Sequence, residues 1–84
     1  MNGWIDDLAE ALEADPLTTS ETDRLLRIAR DVAHRVERKD TPLASFLLGV
    51  HVARRTAAGS PRAVALDDAI ALAEALLPPG PEQP

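Results

Sequence analysis

Cysteine and tyrosine are absent from the 84 residues, and the aromatic complement is Trp4 and Phe46 alone. Without cysteine there are no disulfide staples, no zinc knuckles and no thiol nucleophile, so a packed core has to do all the holding. With aromatic and β-branched residues sparse and no run alternating apolar and polar, strands are excluded as the organising element. No segment approaches the ~20 apolar residues needed to span a bilayer. Nothing in the first thirty residues joins a basic start to an uninterrupted apolar run, so a soluble, cytoplasmic chain is expected. Bases are missing too from residues 1–23, which carry Asp6, Asp7, Glu10, Glu13, Asp15, Glu21 and Asp23.

The overall charge of −5 therefore hides a segregation. Residues 24–62 hold all nine lysines and arginines against Asp31, Glu37 and Asp40, and residues 63–84 add only acids. A nucleic-acid binder would need a basic domain overall, so acidic ends around a basic middle speak against nucleic acid as a partner.

Alanine and leucine at helical spacing predict an all-α, compact four-helix domain over residues 1–77, with a Pro-rich, flexible tail at 78–84. The first helix is expected at about 2–14, carrying Trp4, Ile5, Leu8, Ala11 and Leu12 behind Asn2 as cap and stopping before Pro16. The second, about 20–37, follows overlapping caps in "TTSETD", where Thr18 and Glu21 have capping-box spacing. The third, about 42–57, takes Thr41 as cap and Pro42 as first residue. The fourth, about 61–77, repeats that device with Ser60 and Pro61.

Advancing by about 100° per residue places Leu25, Ile28, Ala29, Val32, Ala33 and Val36 on the core side of the second helix. Arg27, Arg30, Asp31, His34, Glu37 and Arg38 lie opposite, with His34 outward. On the third helix Leu43, Phe46, Leu47, Val50 and Ala57 read as the core stripe, while Leu48 and Val52 fall on the other side. A helix apolar on two faces is either central or waiting for a partner, which here includes a second copy of the chain. Arg54 projects into the expected core stripe; its stem is expected to pack with the guanidinium in water, in preference to an ion pair with Asp31, Asp67 or Asp68.

The candidate chemistry is thin. Asp31, His34 and Glu37 are three apart, a spacing open to metal ligation, but Arg30, Arg35 and Arg38 crowd them and oppose a cation, so no metal is expected. The same arginines with His34 suit an anion, a phosphate or an acidic protein surface, and His51 extends that patch if the second and third helices pack antiparallel. No serine or threonine has a nucleophile-base signature and there is no glycine-rich phosphate loop, so neither an enzyme nor a cofactor is expected. Acyl carrier proteins are also small acidic four-helix chains, but their arm sits on the serine of an Asp-Ser-Leu motif. Here the corner reads "TPLASFLLG", with Ser45 between Ala44 and Phe46.

"WIDDLAEAL" at 4–12 and "ARDVAHRVERKDTPLASFLLG" at 29–49 together resemble a short bacterial family of uncharacterised helical domains, found alone or fused to nucleotidyltransferases of the molybdenum-cofactor guanylyltransferase type. The resemblance covers roughly residues 1–77, and its specific part is Asp31, Val32, Ala33 and His34 with Glu37, Pro42, Leu43 and Gly49. It implies a non-catalytic accessory or protein-interaction module beside molybdopterin guanine dinucleotide synthesis, with a guanylyltransferase or related enzyme as partner. The expected interaction surface is Arg27, Arg30, Asp31, His34, Glu37 and Arg38 on the second helix or Leu48 and Val52 on the third. The alternative is a binding protein for a small anionic ligand, a phosphate or a pterin, using the second helix's basic face.

Overall fold

The computed structural model describes residues 3–80, which form four helices and no strand: α1 (Trp4–Ala11), α2 (Thr19–Arg35), α3 (Asp40–Ala57) and α4 (Arg62–Leu76). The fold is all-α, as composition requires. Asn2, expected to cap α1, and the last residues of the proline tail lie outside the described residues.

The helix ends show which local signals decide. At the start of α2 both halves of the capping box form: the Glu21 N–H donates to Thr18 Oγ1 at 3.1 Å and the Thr18 N–H donates to Glu21 Oε1 at 2.8 Å. α3 closes as expected at Ala57, where Gly59 takes φ +106° and its N–H and that of Ser60 donate back to Thr56 and Arg55. α1 ends three residues earlier than its apolar spacing predicts. Glu13 adopts φ +57°, and the N–H groups of Glu13 and Ala14 donate to the carbonyls of Glu10 and Ala9 in the same reverse-turn pattern. Pro16 is thus not what stops α1.

Two expected caps are not caps. Lys39 precedes α3, and Thr41 lies inside the helix with its hydroxyl donating to the Ala29 carbonyl of α2 at 3.4 Å. Pro61, extended at φ −60° and ψ 146°, caps α4 without a side-chain bond, so Ser60 stands outside the helix. α2 also finishes at Arg35, which leaves Glu37 and Arg38 in the turn to α3 rather than on a helix face.

Glu21 pairs with Arg62 and Arg24 with Asp67, contacts that advance together along both helices, so α2 and α4 run in the same direction. α3 returns between them. The buried apolar residues are Ile28 and Val32 of α2 and Ala65, Leu66, Ala69 and Ile70 of α4. Alanines at 65 and 69, one turn apart, keep side-chain bulk off a buried face of α4.

The expected assignment of faces on α3 is reversed. Leu43, Phe46, Leu47 and Val50 are exposed, whereas Leu48 and Val52 are half-buried against the rest of the fold. Both faces are apolar, so period alone gives the stripe and not its direction; α3 turns inward the face whose neighbours Ala44, His51 and Thr56 fit against α2 and α4. Arg54 goes outward with the stripe, exposed and without an ion pair among the described residues. Val36, placed in the core by spacing, is exposed once α2 ends before it. Beyond α4 the chain runs extended to Gly80, which is buried against the Arg35 side chain.

Candidate functional site

Three surface features emerge from this packing. The first is the outer face of α2. Arg27, Arg30 and His34 are exposed there, Asp31 is half-buried beside them, and Arg38 extends the positive charge from the following turn. Glu37 is occupied by Lys39 at 3.3 Å. Among the described residues Arg27, Arg30 and Arg38 have no carboxylate partner, so no described acid neutralises this face. Two bases are neutralised where α2 meets α4: Arg24 of α2 on Asp67, and Arg62 of α4 on Glu21. Asp31, His34 and Glu37 do not converge, and no group of three potential ligands able to hold a metal occurs among the described residues.

His51 does not extend the patch. Its Nε2 lies 2.7 Å from Asp68 Oδ2 on α4, so it ties α3 to α4 instead. That pair joins partly exposed groups and adds little stability, about 1 kcal/mol or less.

The second feature is an apolar groove of about 780 Å³ between α1 and the remaining helices. Ile5, Leu8 and Leu12 form one wall and Leu48, Val52 and Leu66 the other. It stays open because α1 is only eight residues long and its backbone approaches none of the other helices closely. The polar end of the groove is closed by Arg62, whose guanidinium holds both Glu21 oxygens, Nε to Oε2 at 2.9 Å and Nη2 to Oε1 at 3.1 Å, while Nη1 donates to the Asp15 carbonyl at 3.0 Å. Glu21 is the one buried charged residue among the described residues. The Glu21–Arg62 pair is the element that spacing did not reveal, since nothing local relates positions 41 residues apart. Leu48 and Val52, expected as an outward docking face, line this groove.

A smaller cleft of about 290 Å³ lies between α2 and α4, with Arg24, Arg27, Asp67 and Glu74 in its walls. Two carboxylates beside two guanidiniums leave no net attraction for a small anion. The third feature is the exposed apolar stripe of α3.

A family model matches residues 1–83, described as a domain of unknown function (DUF6457). The chain belongs to that family. Neither a curated protein nor a solved structure matches it. The features of this DUF6457 chain open to a partner are its α2 face, its groove and its α3 stripe. No helix among the described residues is long and apolar enough to cross a membrane.

Proposed function

We propose that the chain is a non-catalytic, cytoplasmic interaction module of molybdenum-cofactor synthesis, docking through α2 on a guanylyltransferase or a related cofactor-handling enzyme. The pathway comes from the sequence resemblance, in which such domains stand alone or fused to guanylyltransferase-type chains. The observation that carries the docking surface is the set of exposed guanidiniums at Arg27, Arg30 and Arg38, unpaired among the described residues, with His34 among them. Guanidinium forks gathered on one side of the molecule suit carboxylates presented by a protein surface.

The same groups could receive a small anion, but the adjoining cleft carries Asp67 and Glu74, which favours an extended acidic surface over a phosphate or pterin pocket. Titration calorimetry of the chain with a molybdenum-cofactor guanylyltransferase from the same cell tests the reading. Binding that weakens with salt and is lost in the Arg27→Glu, Arg30→Glu double variant is expected. No association, with cofactor yield unchanged when the chain is removed, overturns it. Tight binding of phosphate or a phosphorylated pterin, abolished at His34 and Arg38, would replace it by the ligand-binding reading.

A further inference from the structure

α3 is the longest of the four described helices, at 18 residues, yet none of its residues is fully buried. Its outward stripe of Leu43, Phe46, Leu47 and Val50 is 61%, 71%, 66% and 38% exposed. The spacing i, i+3, i+4, i+7 puts all four on one face. Single surface leucines need no explanation, but a contiguous apolar patch on the order of a few hundred Å² is often functional.

The whole chain shows the same deficit of burial. Its accessible surface is 6477 Å², whereas mass scaling gives roughly 4,900 Å² for a folded monomer of its size. The excess, about 1,600 Å², is roughly twice what a standard interface removes from one partner, so the open groove and the extended residues after α4 contribute to it as well. Short chains whose own core is small are commonly completed by association.

Charge says what covers the stripe. Asp40 stands in the first turn of α3 and Arg54 and Arg55 in its last. Neither Asp40 nor Arg54 has an ion-pair partner among the described residues. An acidic partner would match one end of the stripe and be repelled at the other, and a basic partner likewise. A second copy laid antiparallel matches both ends at once and opposes the two helix dipoles.

We propose that α3 is the two-fold interface of a homodimer, its stripe packed antiparallel on the same stripe of a second copy. Leu47 lies on the axis, Leu43 packs against Val50 of the second copy, and Asp40 faces Arg54 of the second copy. The pairing goes beyond the docking reading, which uses α2 and leaves this face free.

Sedimentation of the full chain tests it, measured up to about 500 µM because an interface below the standard size is weak. The 9.0 kDa species is expected to convert with concentration to twice its mass, and Phe46→Glu or Leu47→Glu to abolish that shift with helix content unchanged by circular dichroism. Arg54→Glu should weaken the dimer at least several-fold, and adding Asp40→Lys in the same chain should restore it. Since the chain has no cysteine, Leu47→Cys should link to itself on oxidation. Leu43→Cys should not, because the antiparallel register sets its two copies about 12 Å apart along the axis. A chain monomeric throughout the range, a dimer that survives Phe46→Glu and Leu47→Glu, or self-linking of Leu43→Cys as efficient as that of Leu47→Cys, overturns the proposal. Binding to the guanylyltransferase by a Leu47→Glu monomer, or its loss in Arg27→Glu, Arg30→Glu dimers, keeps the two surfaces distinguishable.

Discussion

Glu21 and Arg62, 41 residues apart, meet through two nitrogen–oxygen contacts of 2.9 and 3.1 Å, and the same carboxylate accepts the Thr18 N–H at 2.8 Å. One side chain thus caps α2 and fastens α4 to it. With Arg62 also bound to the Asp15 carbonyl, the loop after α1 is drawn into the same junction.

Replacing Glu21 by alanine removes the cap and leaves Arg62 without its counter-charge. A loss of about 2–4 kcal/mol is expected, from a helix cap and a charge-assisted hydrogen-bonded pair together. Thr18→Ala removes the cap alone and should lose about 1 kcal/mol. Thermal melts followed by circular dichroism compare the two, and equal losses would show that the pair contributes nothing.

Two backbone positions test the left-handed turns. Gly59→Ala forces a Cβ into φ +106° and should destabilise by about 1–2 kcal/mol, although a Cβ there meets nothing within 4 Å. Glu13→Gly relieves the same conformation after α1 and should stabilise by about 0.5–1 kcal/mol. Urea unfolding midpoints check both, and a neutral Gly59→Ala would mean that the turn relaxes.

Surface and groove residues should separate cleanly. Arg27→Glu and Arg30→Glu, at exposed positions unpaired among the described residues, should leave stability within about 0.5 kcal/mol. Leu48→Asp puts a charge into the half-buried groove wall and should lower stability by about 2 kcal/mol or more. Loss of docking in Leu48→Asp is therefore a folding effect unless its melting temperature matches that of the parent.

Trp4 is the single tryptophan and is 72% exposed. Its fluorescence in the free chain should be quenched by acrylamide nearly as fully as that of a free indole. Strong protection would show that the start of α1 is covered in solution.

The residues that were readable in advance are those whose neighbours are close in sequence. The Thr18–Glu21 box, the end of α3 at Ala57 and the outward placement of Arg27, Arg30 and His34 all depend on contacts within a turn or two of helix. The end of α1 was misjudged because a glutamate, not a glycine, takes the left-handed turn, and no local residue preference announces that. Thr41 looked like a cap because its preference for that role is strong, but a carbonyl on α2 claims its hydroxyl.

The candidate surfaces divide in the same way. Spacing gave α3 two apolar faces correctly, and the positive face of α2 as well. It could not say that Arg24 and Arg62 would be neutralised while Arg27 and Arg30 would not, because their counter-ions arrive from α4 and from the start of α2.

The amino-acid order alone therefore determines an all-α chain of four helices, where most of them start and stop, and how charge is segregated along it, since each rests on backbone geometry and short-range bonding. Only the tertiary structure decides which apolar face of α3 turns inward, that Glu21 and Arg62 form the junction, and that α1 stands away from the other helices over a groove. Those outcomes depend on packing between segments remote in sequence, where shape and counter-charge choose among faces that helical period leaves equivalent.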